Sequence, residues 1–230
     1  PNRLRSLPAV AMTILILASL AAFALRTRDL VGYLQLGSDD DRFPRHWGRK
    51  IKEQLVVVFG QRKLLQWTVP GLMHFFIFWG FVILFTTIVE AFGAVYQEGF
   101  HIPFIGRWDA LGFLQDFFAT AVFLGIVTFA IIRLMRSPRE IGRSSRFYGS
   151  HTGGAWLVLF MIFNVVFTYV FVRGAAVNNG TLPYGNGAFL SQLCGAILRP
   201  LGQPANEIIE TTALLLHIAV ALIFLVVVLY

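Results

Sequence analysis

The stretch of sequence that decides the fold is residues 71–96, which read GLMHFFIFWGFVILFTTIVEAFGAVY and contain a single charged side chain, Glu90. A helix of this length, rising about 1.5 Å per residue, crosses the roughly 30 Å hydrocarbon core of a bilayer. Lipid offers the backbone no hydrogen-bond partners, so the run must satisfy its own peptide groups as a helix. The sequence therefore predicts a transmembrane helix here.

Four further apolar runs of similar length extend this pattern over the chain: 8–25, 110–134, 155–172 and 208–230. The composition agrees, because 57% of the 230 residues are hydrophobic and only 13% are charged. We count the first run as a span rather than a signal peptide, because it is long and no clear cleavage site follows it. The prediction is one all-α membrane domain over residues 1–230, a polytopic bundle of five transmembrane helices.

Basic residues fall mainly in two connecting segments, and this sets the predicted orientation. Nine lysines and arginines lie between residues 26 and 63 and five more between residues 133 and 146, against five elsewhere. Because basic loops stay in the cytoplasm, the N-terminus is predicted outside and the C-terminus inside, in a bacterial plasma membrane. The net charge of +7 is explained by these loops and their attraction to anionic lipid, so nucleic-acid binding is a poor interpretation.

Two connecting segments have patterns of their own. Within the cytoplasmic segment 26–70, residues 47–65 mix charged and apolar side chains as an interfacial helix does. The loop from residue 174 to residue 206 is rich in glycine, proline and asparagine and encloses an apolar piece at 188–198. We predict a surface helix for the first segment and a short capping helix within the second.

Cysteine content limits the redox centres that this chain holds by itself. The single cysteine, Cys194, forms no internal disulfide and cannot hold an iron–sulfur cluster, which needs about four thiolates. Iron–sulfur clusters are therefore expected only in a missing domain or in a partner. The last apolar run reaches Tyr230 without a terminating charge, glycine or proline, and we interpret the chain as a fragment that continues into a cytoplasmic iron–sulfur domain.

Two histidines lie inside the apolar runs and are the leading candidates for cofactor ligands. A neutral imidazole in hydrocarbon is costly unless a partner takes its nitrogens, and haem iron is such a partner. At about 1.5 Å per residue, His74 lies about 5 Å from the inner end of its span and His217 roughly 14 Å from the outer end of its own. The resulting separation of roughly 10 Å along the membrane normal favours one b haem in each leaflet over a shared haem.

Three carboxylates in the outer halves of the spans are candidates for a quinone site. They are Glu90 in the second span, Asp116 in the third and Glu210 in the fifth. Quinol oxidation releases two protons as two electrons leave, so a carboxylate or imidazole near the ring serves the chemistry. A carboxylate near a span end often only reaches the interface, and a purely structural role stays open for each.

The residues around His74 carry a family resemblance. The segment GLMH at 71–74, followed by FFIFWGF and preceded by QRKLL at 61–65, resembles the membrane domain of iron–sulfur reductases related to heterodisulfide reductase. That domain is similar to the gamma subunit of respiratory nitrate reductase, a five-helix, di-haem cytochrome b with its N-terminus outside. Within that group the chain looks most like the actinobacterial type proposed to pass electrons between electron-transfer flavoprotein and menaquinone.

The resemblance implies roles for residues of this chain. It places His74 at the inner-haem ligand of the second helix and His217 at the outer-haem ligand of the fifth, with the other fifth-helix ligand outside this sequence. The nitrate reductase pattern has an outer-haem histidine where this chain has Leu84. His217 then pairs with another residue such as His101, belongs to a quinone site, or shares one haem with His74. His151, at the inner mouth of the fourth span, is a further candidate ligand for an inner haem.

Together these patterns predict the haem b-containing membrane domain of a quinone-linked oxidoreductase. The resemblance implies one or two b haems, menaquinone as substrate, and electron exchange with a cytoplasmic iron–sulfur domain and electron-transfer flavoprotein. The alternative is a cofactor-free membrane anchor or assembly subunit of a respiratory complex, in which the histidines bond only to protein groups. A transporter is less favoured, because the spans lack paired glycine or proline interruptions.

Overall fold

The computed structural model describes residues 2–37, 46–150 and 152–230, and every regular element in these ranges is a helix. A π-helical turn, Gln54–Phe59, extends the second helix, and short 3₁₀ turns follow the fifth and seventh. The helices are α1 (Asn2–Leu34), α2 (Trp47–Glu53), α3 (Thr68–Tyr96), α4 (Asp109–Met135), α5 (Pro138–Ile141), α6 (Thr152–Asn179), α7 (Phe189–Leu198) and α8 (Gln203–Val227).

Five of these helices, α1, α3, α4, α6 and α8, are long and apolar enough to cross a membrane. This confirms the predicted all-α class with five candidate spans. The helices exceed the apolar runs that predicted them at one end or both, and α6, predicted from 155–172, continues to Asn179. A helix that has started gains one hydrogen bond for each residue it adds, so it propagates past the apolar run into polar residues. The likeness to the nitrate reductase gamma fold stays a prediction.

Helix α6 lies at the centre of the bundle. It packs against α8 and α4, and α7 packs against one of its ends. Helix α3 packs along α4, and α1 packs along α8. The approach of α3 to α4 is close, since a Cβ on Gly80 would meet Val122 Cγ2 at 2.3 Å and one on Gly125 would meet Ile77 at 3.0 Å. Small residues that let helix backbones approach are typical of membrane bundles.

The two predicted connecting helices have different outcomes. The short capping helix is present as α7, close to the predicted 188–198. The surface helix predicted over 47–65 is shorter, because α2 and its π-helical turn end at Phe59. Gln61 has a φ of 52°, a left-handed conformation that cannot continue a right-handed helix, and the chain turns there towards α3.

The connections define two ends of the bundle. Residues 97–108 and 180–202 lie at one end, which we call the α7 end. Residues 35–37, 46–67 and 136–150 lie at the other, the basic end. Side-chain contacts agree with antiparallel neighbours, since His217 of α8 contacts Thr168 of α6 while Asn206 contacts Asn178. The predicted orientation would put the basic end in the cytoplasm.

Candidate functional site

His217 lies in the middle of α8 and is only 3% exposed, and the described residues offer a partner to just one of its two ring nitrogens. Nδ1 lies 3.1 Å from the carbonyl oxygen of Val165 and 2.9 Å from Thr168 Oγ1. A backbone carbonyl only accepts hydrogen bonds, so Nδ1 carries the proton and Nε2 keeps a free lone pair. Nε2 is buried, and none of the described residues partners it. A histidine held in this way presents one nitrogen to a metal ion or another ligand.

His74 has the same arrangement at the other end of the bundle. It lies in the second turn of α3, near the basic end, with an exposed side chain. Its Nδ1 lies 2.8 Å from Gln61 Oε1, and the Gln61 amide is oriented by its own Nε2, which donates to the carbonyl oxygen of Val58 at 3.0 Å. Nδ1 of His74 is therefore the donor, and its Nε2 is available to a ligand.

The two histidines lie at different depths. Thr87 and Glu90 of α3 line the same cavity as His217. His74 precedes Thr87 by three and a half helical turns, about 20 Å at 1.5 Å per residue. One iron cannot take both rings at this separation, so the two histidines cannot share a haem.

The cavity that His217 faces has a volume of about 80 Å³ and lies between α3, α6 and α8, near the α7 end. It contains two of the three carboxylates that the sequence singled out, Glu90 and Glu210, together with Arg173. The structure therefore brings together residues from three helices that are far apart in sequence. Its apolar walls include Ala91, Ala94, Phe100, Val172, Ala176 and Leu214.

Asp116, the third predicted carboxylate, is fully buried beside the cavity and does not line it. Its Oδ1 accepts hydrogen bonds from Tyr169 Oη at 2.6 Å and Ser191 Oγ at 2.9 Å, and its Oδ2 accepts one from the Ser191 backbone N–H at 2.8 Å. Arg173 Nε lies 3.7 Å from Oδ1. Both oxygens are thus occupied, and Asp116 holds its neighbours in place instead of facing a ligand.

Arg173 is the residue of this site that sequence reasoning missed. The fourth apolar run ends at residue 172, but α6 continues beyond it and Arg173 is only 6% exposed. Its Nε donates to Ser191 Oγ at 2.9 Å and its Nη1 to Gln115 Oε1 at 2.7 Å. The sequence feature that could have revealed a buried cation is Asp116, because a carboxylate inside an apolar run is stable only when a cation pairs with it.

Glu90 is held by two polar side chains from other elements. Gln115 Nε2 donates to its Oε2 at 3.3 Å, and Tyr184 Oη donates to its Oε1. Burial and the hydrogen bond to Glu90 raise the pKa of Tyr184, so the phenol keeps its proton and remains the donor. Glu90 therefore sits between the cavity and the buried network around Arg173.

Glu210 has its partners at the end of α6. Asn179 Nδ2 donates to its Oε2 and Thr181 Oγ1 to its Oε1, both at 2.6 Å. These contacts tie the start of α8 to the segment that follows α6. They also hold the Glu210 side chain beside Thr181 in the cavity wall.

His101, one of the two remaining candidate histidines, does not line the cavity at His217. His101 lies in the connection between α3 and α4, with Nδ1 3.2 Å from the carbonyl oxygen of Gly99. It lines a second, more open cavity of about 520 Å³ with Glu98 and Arg107. The two cavities share Gly99 and residues 181–183 as a wall. His151 lies outside the described residues, so its predicted role stays a prediction.

The surroundings of the two histidines bear on whether haem fits. Leu84, where the nitrate reductase pattern has a histidine, packs with Val122, Ile126 and Val166. The described lining of the cavity at His217 contains no second imidazole, and its volume is well below the roughly 300–1,000 Å³ of typical ligand pockets. The His217 ring has the free nitrogen that an iron needs, but the space beside it is too small for a haem. At His74 the free Nε2 on an exposed face fits a haem iron.

Comparison with known proteins gives one relative at low identity. Over 135 residues, 56% of this chain, the sequence is 27% identical to EtfAB:quinone oxidoreductase of Syntrophomonas wolfei subsp. wolfei (strain DSM 2245B / Goettingen). The match spans only 17% of that protein. No protein-family model and no solved structure matches the chain. The chain is therefore similar to part of a quinone oxidoreductase, and the likeness to nitrate reductase gamma stays a prediction.

Proposed function

We propose that this chain is the membrane part of a quinone-linked oxidoreductase and passes electrons between menaquinone and a soluble partner in the cytoplasm. The similarity to an EtfAB:quinone oxidoreductase and the five candidate membrane spans support this proposal. The observation that carries it is the mostly apolar cavity near the α7 end, which is lined by His217, a residue whose ring keeps a buried Nε2 without a partner among the described residues.

The quinone head group binds in this cavity, in our proposal. A quinone is a flat apolar ring with two oxygens, and it needs apolar walls and a few placed polar groups. The hydroxyl of a quinol can donate to His217 Nε2, and the carboxylates of Glu90 and Glu210 line the same space. These groups are suited to receive the two protons that leave as a quinol is oxidised. Asp116 keeps Tyr169 in position at the edge of the site.

A b haem at the basic end is the second part of the proposal. His74 would hold the haem iron through its imidazole, with its tautomer set by Gln61. The resemblance implies that the second ligand lies outside this sequence, and His151 is the alternative within it. When bound, the haem supplies a one-electron carrier. A haem iron at His217, which the resemblance also implies, is the competing assignment for that ring.

The positions of the partners follow from charge. The basic end carries the two arginine- and lysine-rich connections, and the positive-inside rule puts it in the cytoplasm of a bacterial cell. An iron–sulfur domain and electron-transfer flavoprotein would then exchange electrons at the basic end, next to His74. Quinone would enter from the membrane near the α7 end.

A reduced-minus-oxidised absorption spectrum of the purified protein tests the haem assignment. We expect a b-type band that His74→Ala abolishes, because the substitution removes the axial nitrogen. His46→Ala is the matched control, since His46 is an exposed histidine in the basic segment before α2, and it should leave the band unchanged.

The same spectrum separates the competing interpretations. A colourless preparation of the protein, also when it is purified in complex with its soluble electron-transfer partner, would favour the cofactor-free anchor and refute the haem. If His217→Ala removes part of the band, His217 is a second haem ligand and the quinone site must lie elsewhere. We expect His217→Ala to leave the band intact and to impair turnover with quinol.

A further inference from the structure

Arg173 lines the cavity, and its guanidinium has an unused donor. Nη2 is buried and finds no hydrogen-bond partner within the part of the chain that the structure describes. We propose that Arg173 binds the quinone head group, with Nη2 donating a hydrogen bond to a carbonyl oxygen of the ring. This inference rests on the proposed quinone function and names the residue that recognises the substrate.

The other contacts of Arg173 hold the guanidinium rigidly. Nε and Nη1 are bonded to Ser191 and Gln115, and the charge is paired with Asp116 at 3.7 Å. The rings of Tyr169 and Tyr184 lie 5.1 and 4.8 Å from Cζ, within the range of cation–π attraction. A planar group fixed at this many points keeps Nη2 aimed in one direction, which is the preorganisation a binding site needs.

A buried donor on a charged group is costly to leave unpaired. Arg173 lines the cavity, and so does His217, whose Nε2 is the other buried ring or guanidinium nitrogen there without a partner in the described chain. Two residues with unsatisfied nitrogens of complementary character, a donor and an acceptor, therefore line one mostly apolar space. A quinol satisfies both at once, because one hydroxyl donates to His217 Nε2 and the oxygen on the other side accepts from Arg173 Nη2. The oxidised quinone has only acceptor oxygens and pairs with Nη2 alone.

The charges around the cavity favour a neutral oxygen over an anion. Asp116 already neutralises Arg173, so the pair brings no net positive charge to the ligand. The carboxyl groups of Glu90 and Glu210 line the same cavity and would repel a phosphate or carboxylate. A carbonyl oxygen accepts from the cationic Nη2 without adding a charge to this group.

Quinone binding to variants of the purified protein in lipid nanodiscs tests the proposal. The probe is dimethylnaphthoquinone, a tail-less menaquinone analogue, titrated against each variant. Arg173→Lys keeps the charge but loses the planar Nη2, and we expect roughly tenfold weaker binding or more, the effect of one hydrogen bond from a charged donor. We also expect the infrared carbonyl stretch of the bound probe to lie below that of the free probe in the wild type, and to return towards it in Arg173→Lys. A structural role alone would not shift that frequency.

A second variant avoids disturbing the buried network. Ala94→Leu fills the cavity from α3 without touching Arg173, and it should weaken binding as much. Ala130→Leu, on α4 and absent from the cavity lining, is the matched control and should bind the probe as the wild type does. If Arg173→Lys folds and binds the probe with wild-type affinity, the proposal is overturned. If Arg173→Lys does not fold, wild-type affinity in Ala94→Leu overturns it. Failure of the wild type to bind the probe overturns the proposed quinone function itself, and the inference with it.

Discussion

At the scale of single residues, the stability of the α7 end depends on a buried ion pair, Asp116 with Arg173. Asp116 and Arg173 are 0% and 6% exposed, and both are hydrogen-bonded to Ser191. Moving either charge out of water is expensive, and the pair is tolerated because nearly every polar atom in it has a partner. Removing one member therefore leaves the other as an uncompensated charge.

We expect Asp116→Asn to destabilise the protein by about 3 kcal/mol, the cost of breaking a buried pair on one side. Chemical unfolding in mild detergent measures the change. Asp109→Asn is the control, because Asp109 is exposed at the start of α4 and accepts one bond from the Gly185 N–H. The double variant Asp116→Asn with Arg173→Gln should recover part of the loss. Equal stability of Asp116→Asn and the control would contradict the buried pair.

The sequence identified one side of this pair but not the other. A charged residue inside an apolar run stands out, so Glu90 and Asp116 could be recognised as candidates before the fold was known. Arg173 could not, because the hydropathy window ends one residue before it while the helix continues. The unpartnered nitrogens of Arg173 and His217 depend on the positions of three helices, and no sequence pattern encodes such positions directly.

At the scale of elements, the approach of α3 to α4 is set by glycine. A Cβ on Gly80 would lie 2.3 Å from Val122 Cγ2, so a larger residue forces the helices apart. We expect Gly80→Val to lower stability by about 1–3 kcal/mol through overpacking, measured as a lower melting temperature. Gly153→Val near the start of α6, where nothing lies within 4 Å, is the control. Insensitivity of the melting temperature to Gly80→Val would mean that α3 and α4 are not in contact there.

Sequence reasoning succeeded best for the long helices and least well for their ends. An apolar run of membrane length permits only one structure in lipid, which is why five spans could be predicted from hydropathy alone. The ends follow local chemistry instead. The surface helix stops before Gln61 because that residue adopts a left-handed φ, and a mixed charged and apolar pattern does not reveal such a turn.

At the scale of the whole molecule, the account requires one orientation in the membrane. In a Cys194→Ser background, cysteines at Leu201 in the α7 end and Ser144 in the basic end report on it, since both positions are exposed. An impermeant maleimide added to intact cells should label Leu201→Cys and not Ser144→Cys, because basic loops stay in the cytoplasm. The reverse labelling would place the proposed quinone site on the cytoplasmic side.

The proposed electron path runs along α3, from the cavity beside Thr87 and Glu90 to His74, about 20 Å at 1.5 Å per residue. The measurement that tests it most directly is the absorption spectrum of the oxidised, oxygen-free protein after addition of menaquinol. We predict that the b-type band of reduced haem develops in the wild type, is absent in His74→Ala, and develops more slowly in Arg173→Lys with the same final amplitude. A haem that dithionite reduces but menaquinol does not would contradict the account.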